Sequence, residues 1–136
     1  MEKKKVITIN DYHRLIGLIE FASLKSKTPD GVSRLYEALL SAKMLSQKNI
    51  SGNIITMNSR VLLKDVSSER EAELTITYPQ DADNRERKVS VFSSIGVALL
   101  GNQVGDVVSW ETPVGIGQFA ILKVTYQPEA LGHYSL

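Results

Sequence analysis

The chain has 136 residues, of which 43% are hydrophobic and 23% are charged, and its formal net charge is +1. This length and balance suit one small globular domain, or such a domain with an appendage, and the charge provides no broad attraction to nucleic acid. The lack of cysteine excludes disulfides, thiolate zinc sites and thiol catalysis. No apolar run is long enough to span a membrane, and the N-terminal lead is too polar for a signal peptide, so we expect a cytoplasmic protein.

The N-terminal third predicts two helices. Residues 3–9 are basic and then β-prone, and they form either a short edge strand or a disordered lead-in. Asn10 or Asp11 can cap a first helix, whose apolar positions 15, 16, 18, 19 and 22 share one face. A breaker at residues 28–31 precedes a second apolar stripe at 32, 35, 39 and 42, which continues to Leu45. Two stripes joined by a short breaker predict helices that pack antiparallel.

A β-rich part follows a linker-like segment at residues 47–53. Strand patterns lie at residues 60–66, 71–78 and 119–126, and another strand begins at Val107. Residues 67–70 and 113–117 are predicted turns, residues 80–88 are a charged loop or a strand entry, and residues 129–136 are a tail. The pattern predicts a small antiparallel sheet.

Residues 89–110 form the most informative stretch, and they predict a strand, a compact helix, a turn and a second strand. Ser93 or Ser94 can cap the helix, because a hydroxyl accepts from the unpaired N–H groups of a first turn. Gly101 stands where a left-handed helix stop is expected, and Gly105 marks the following turn.

The order of several short motifs resembles a known family. In the C-terminal half, SIG (94–96), ALLG (98–101) and VGD (104–106) resemble the C-terminal domain of Gre-type transcript-cleavage factors. Further motifs resemble one branch of that family, the regulators of nucleoside diphosphate kinase: TMNSRV (56–61), YP (78–79), WETP (110–113) and YQPEA (126–130). The resemblance covers most of the chain from residue 56 onward.

The resemblance implies an α+β fold in two parts. Residues 1–50 would be an antiparallel two-helix hairpin, a short coiled coil, and residues 51–136 an FKBP-like antiparallel β half-barrel with one short helix. It also implies RNA polymerase as the partner. In Gre factors the C-terminal domain docks at the rim of the polymerase secondary channel, and acidic residues at the tip of the coiled coil help to hold a catalytic magnesium.

The tip departs from the family pattern. It would comprise residues 25–33, where Asp30 is the only carboxylate and Lys27 adds positive charge. Each helix is roughly 14–16 residues, or about 21–24 Å long, which is much shorter than the Gre coiled coil. We therefore expect polymerase binding without transcript cleavage, no catalytic, cofactor-binding or metal-binding residues, and a partner-binding tip at Lys27, Thr28, Pro29 and Asp30.

A second predicted contact lies at Ser93, Ser94 and Ile95. The resemblance implies that the loop entering this helix touches the polymerase rim, although the family often has proline where this chain has Ser94. The two serines are equally well explained as helix caps alone.

Two other functions stay open from the sequence. One is an FKBP-like prolyl isomerase, which needs an apolar, aromatic-lined pocket, whereas aromatic residues make up only 7% of the chain. The other is an interaction module that binds nucleoside diphosphate kinase directly, instead of affecting the level of that kinase through transcription. We expect a monomer with no membrane contact and no direct sequence-specific contact with nucleic acid.

Overall fold

The structure, a computed structural model, describes residues 5–24 and 31–134. Within those ranges the helices are α1 (Ile9–Ser23), α2 (Val32–Ser41) and α3 (Ser94–Leu99). The strands are β1 (Val6–Thr8), β2 (Lys43–Leu45), β3 (Arg60–Asp65), β4 (Glu71–Thr77), β5 (Lys88–Ser90), β6 (Val107–Thr112) and β7 (Gly115–Tyr126).

Five strands form a curled half-barrel sheet in the order β5-β4-β3-β7-β6. Two register shifts between β3 and β7 accompany the curl, since irregular pairing of this kind increases the local twist of a sheet. The predicted antiparallel sheet is correct for three neighbouring pairs but wrong for β4 and β5, which run parallel. Residues 78–87, which contain two short 3₁₀ helices, carry the chain back toward the start of β4, so that β5 runs in the same direction as β4. A tight hairpin would instead have made the two strands antiparallel.

The second predicted helix is shorter than expected. It ends at Ser41 after 10 residues, and residues 43–45 form β2 instead of continuing the helix to Leu45. The backbone becomes extended at Ala42, and β2 then pairs in parallel with β1, where the Lys43 N–H donates to the Lys5 carbonyl oxygen at 2.8 Å. Of the two alternatives for residues 3–9, the short strand is observed at Val6–Thr8, whereas Ile9 already belongs to α1 and residues 3 and 4 lie outside the described residues.

The first helix begins earlier than the sequence indicated. Thr8, and not Asn10 or Asp11, is its N-cap, because the Thr8 Oγ1 accepts from the Asp11 N–H at 3.0 Å. Asp11 lies within the first turn and is only 3% exposed. One of the two residues predicted as a possible cap is therefore part of the interior.

One hydrophobic cluster joins the helices to the sheet. Leu15 of α1 and Leu35 of α2 belong to the same buried cluster as Val61, Ile76 and Ile121 of β3, β4 and β7. The apolar stripes of α1 and α2 thus contribute to a core that includes the sheet. A boundary between parts at residue 50 stays a prediction.

The segment after the last strand is not a simple tail. Gln127 is 3% exposed, and its Nε2 donates to the carbonyl oxygens of Ser51 and Ile54, both at 2.7 Å. Glu129 is also buried and begins a 3₁₀ turn, Glu129–Leu131. The hydrogen bonds of Gln127, to partners more than 70 residues away along the chain, hold the segment after β7 against residues 51–54.

Candidate functional site

The entry to α3 is built around Ser93. Its Oγ accepts from the Gly96 N–H at 3.0 Å and donates to the Ser90 carbonyl oxygen at 2.6 Å. Ser93 is therefore the observed N-cap, and Ser94 is the first residue of the helix. Ser93, Ser94 and Ile95 are all half-buried, so each also presents surface to solvent. This geometry combines a fixed backbone with side chains that a partner can reach.

A close approach seats α3 on the end of β5. A Cβ added to Gly96 would overlap the Ser90 carbonyl oxygen and lie 2.9 Å from the Val91 Cα. Glycine is needed here for space, because any larger residue would push the helix away from the strand. Gly101 has the expected positive φ, +82°. It does not stop the helix itself, because α3 ends at Leu99 and the backbone of Leu100 is already non-helical (φ −54°, ψ 127°). Gly101 lies in the following turn, which the Asn102 N–H closes on the Leu99 carbonyl oxygen at 3.0 Å.

The other end of α3 is capped by Lys5. Its Nζ donates to the carbonyl oxygens of Val97 (2.8 Å), Ala98 (3.1 Å) and Leu100 (2.7 Å) and to the Asn102 Oδ1 (3.0 Å). Burial lowers the pKa of Lys5 to about 8, against the opposing charge of Asp106. Sequence analysis missed this contact, because its partners lie more than 90 residues away and no local pattern signals it.

The start of α2 lies against the same loop. A Cβ added to Gly31 would overlap the carbonyl group of Phe92, which directly precedes Ser93. Gly31 has an ordinary φ of −80°, so glycine is required for this close approach rather than for an unusual backbone conformation. The predicted tip residues Lys27, Thr28, Pro29 and Asp30 lie outside the described residues, and Gly31, which follows them in the chain, touches the α3 entry.

An apolar groove of about 550 Å³ runs between α1 and α2. Tyr12 and Ile16 of α1 line it together with Tyr36 and Leu40 of α2. Tyr36 is 44% exposed and Leu40 is 60% exposed. The helix pair thus keeps an exposed apolar face in addition to the face that it buries.

The described residues contain no group of three or more histidine, cysteine, aspartate or glutamate side chains that could hold a metal ion. In the charged loop after β4, Asp83 accepts from the Arg85 N–H at 2.9 Å, and Lys88 pairs with Glu86 at 2.9 Å. This arrangement is that of a solvated loop.

His133 is hydrogen-bonded to the Tyr126 hydroxyl, which lies 2.9 Å from its Nδ1.

A buried polar junction was missed by sequence analysis. Two carboxylates, of Asp11 and Glu129, lie close to two hydroxyls, of Thr56 and Ser59. The Asp11 Oδ2 accepts from the Met57 N–H at 3.1 Å, and the Glu129 Oε1 accepts from the Thr56 hydroxyl at 2.7 Å. The hydroxyls of Thr56 and Ser59 are 2.8 Å apart. The available sequence signal was the pair of hydroxyl residues, Thr56 and Ser59, three positions apart within TMNSRV.

The same fold and motifs are found in known proteins. Residues 50–126 match the family described as transcription elongation factor GreA/GreB, C-terminal. The chain belongs to the GreA/GreB family. Among its relatives, the regulator of nucleoside diphosphate kinase from Escherichia coli K12 is 38% identical over 96 residues, which cover 70% of this chain and 71% of that protein.

Other members of the GreA/GreB family match a larger part of the chain. Transcription elongation factor GreA from Alkaliphilus oremlandii is 31% identical over 122 residues, which cover 90% of this chain and 77% of that protein. The structure of a GreA/GreB elongation factor from Nitrosomonas europaea is 33% identical, has a TM-score of 0.76, and covers 92% of this chain and 100% of that one. These relatives are named as transcription factors and a regulator, not as catalysts. Across the described part of the chain, no helix is both long and apolar enough to cross a bilayer.

Proposed function

We propose that this Gre-family member is a non-enzymatic transcription regulator that binds RNA polymerase near its secondary channel. It competes there with Gre-type factors and does not stimulate transcript cleavage. Membership of the GreA/GreB family supports the polymerase partner, and the observation that carries the proposed lack of cleavage is the contact between Gly31 and Phe92. It puts the N-terminal end of α2, the end nearest the predicted tip, against the domain that would dock on the polymerase.

The dimensions of the helices support the same conclusion. Helix α1 has 15 residues and α2 has 10, which correspond to about 22 Å and about 15 Å at 1.5 Å per residue. In our proposal they form the predicted antiparallel hairpin, a short coiled coil, beside an FKBP-like half-barrel. A helix pair of this length that contacts the C-terminal domain near its tip has little reach into a channel.

The chemistry of the tip also opposes cleavage. Magnesium requires hard oxygen ligands, and a cleavage factor must bring carboxylates to the polymerase metal. Residues 25–33 supply one carboxylate, Asp30, together with Lys25 and Lys27. Residues 27–30 are therefore proposed as a partner contact and not as metal ligands.

Ser93, Ser94 and Ile95 are the proposed contact of the C-terminal domain with the polymerase rim. Ile95→Glu places a charge on this half-buried surface without removing the Ser93 cap. Val66→Glu is the control for the added charge, because Val66 is 48% exposed on the turn after β3, whereas Ile95 also packs against the hydrophobic cluster. Polymerase binding should fall at least tenfold for Ile95→Glu and stay unchanged for Val66→Glu, with both folds verified by circular dichroism.

The decisive experiment uses a backtracked polymerase complex. The purified protein should leave the transcript uncut, and increasing amounts of it should suppress cleavage by an active Gre factor. Cleavage by the protein alone would overturn the proposal, as would a lack of competition at saturating concentration. An effect on nucleoside diphosphate kinase levels would then be an indirect result of transcription, in a cytoplasmic and monomeric protein.

Two alternative functions have their own tests. Trp110 is 9% exposed and stacks on Phe119, with ring centroids 4.0 Å apart, so this aromatic pair serves the packing of the sheet. A peptide isomerisation assay should accordingly detect no turnover. Direct capture of purified nucleoside diphosphate kinase, with no capture of polymerase, would favour the interaction-module function instead.

A further inference from the structure

Two buried carboxylates converge on one turn of the chain, residues 56–59. Asp11, from the first turn of α1, is 3% exposed, and Glu129, from the C-terminal 3₁₀ turn, is 8% exposed. They bind adjacent residues of the turn, the Met57 N–H at 3.1 Å and the Thr56 hydroxyl at 2.7 Å. The first turn of α1 and the C-terminal 3₁₀ turn are thereby both hydrogen-bonded to residues 56–59, which lead directly into β3.

The environment of Asp11 disfavours its negative charge. Burial raises the pKa of Asp11 to about 6, and the charge of Glu129 acts in the same direction. The hydrogen bonds from Met57 and Thr8 and the positive charge of Arg14 lower this pKa, but they do not outweigh burial. Tyr78, at the end of β4, also faces the group, and its own pKa is raised by burial and by the charge of Asp11.

We propose that Asp11 is a proton-operated latch, which holds the first turn of α1 on residues 56–59 when its carboxyl is neutral and loosens that turn when the proton leaves for solvent. A neutral carboxyl can still accept the Met57 N–H through its carbonyl oxygen. It is not repelled by Glu129 and does not need water around it. An ionised carboxyl keeps the hydrogen bond but gains hydration when α1 lifts away.

The direction of the pH effect follows from proton binding. The pKa of Asp11 is about 6 in the folded protein and 3.8 as its ordinary value. The closed state therefore binds more protons between about pH 4 and 6, so the stability of the closed latch falls as pH rises through that window. The opening constant of α1 should rise about tenfold between pH 5 and pH 7.5.

The test is amide hydrogen exchange of α1 in the full chain at pH 5 and pH 7.5, corrected for intrinsic exchange rates. The wild-type opening constant should rise about tenfold, and Asp11→Asn should abolish the rise, because an amide accepts the same N–H without titrating. Asp83→Asn is the matched control, since the Asp83 side chain also accepts one backbone N–H but is exposed. It should behave as wild type. A flat wild-type profile, or an equal rise in Asp11→Asn, would overturn the latch.

A second measurement keeps the test valid if Asp11→Asn folds poorly. In the wild type, the NMR chemical shift of the Asp11 carboxyl carbon should titrate with a midpoint well above 3.8, the ordinary pKa of aspartate. Glu129→Gln removes one source of repulsion but keeps an acceptor for the Thr56 hydroxyl, so the Asp11 midpoint should move down. An Asp11 midpoint near 4, or one that Glu129→Gln leaves in place, would contradict the proposal. Neither measurement depends on polymerase binding.

Discussion

The contact between Gly31 and Phe92 can be tested by adding one methyl group. In Gly31→Ala the new Cβ would overlap the Phe92 carbonyl group, which is backbone and has no rotamer available to avoid it. Overpacking of this kind costs about 1–3 kcal/mol. Alanine also lowers the conformational entropy of the unfolded chain, and it adopts the native φ of −80° without strain. This effect stabilises the folded protein by about 0.4–1 kcal/mol. The expected net loss in the free energy of unfolding is about 1–2 kcal/mol.

Gly17 provides the control for this substitution. It lies within α1, and a Cβ added there would meet no heavy atom within 4 Å. Gly17→Ala should therefore stabilise the protein by about 0.5–1 kcal/mol through helix propensity alone. Urea unfolding of both variants should separate their free energies by about 1.5–3 kcal/mol. If Gly31→Ala is as stable as Gly17→Ala, α2 does not press on the α3 entry, and the argument for a short reach loses its support.

Two further predictions concern the caps of α3. Ser93→Ala should lower the free energy of unfolding by about 1 kcal/mol, because the Gly96 N–H loses its acceptor. Ser94→Ala, one residue inside the helix, should change it by less than about 0.5 kcal/mol, and equal effects in thermal unfolding would argue against Ser93 as the cap. Lys5→Met keeps the aliphatic stem but removes the donor for four oxygen atoms, and it should cost about 1–3 kcal/mol in urea unfolding. Wild-type stability would show that those oxygens are satisfied without Lys5.

Local signals predicted the elements of the C-terminal part well. The strands β3 and β4, the serine cap of α3 and the positive φ of Gly101 were predicted. The last strand was predicted only in part, because β7 already begins at Gly115, inside the predicted turn 113–117, and not at residue 119. Each depends on a period of two or on a short-range contact that neighbouring residues determine. The family could be predicted for the same reason, because the order of its motifs is itself a property of the sequence.

Predictions were wrong where a distant partner decides the outcome. Residues 43–45 continue a helical pattern, yet they form a strand because β1 offers backbone partners. The parallel pairing of β5 depends on the path of residues 78–87, which no periodicity describes. Asp11 was predicted only as a possible helix cap, and its burial against the Met57 N–H is visible only in the tertiary structure.

The sequence alone determined the kind of element at most positions and the family. It also showed that the tip has a single carboxylate, Asp30, because composition and spacing carry these properties directly. Only the tertiary structure showed that α2 starts against Phe92, that Lys5 caps α3 and that Asp11 lies near Glu129. Each of those contacts joins residues that are far apart along the chain. Their energies arise from excluded volume, paired donors and buried charge, which exist only once the chain has brought both partners together.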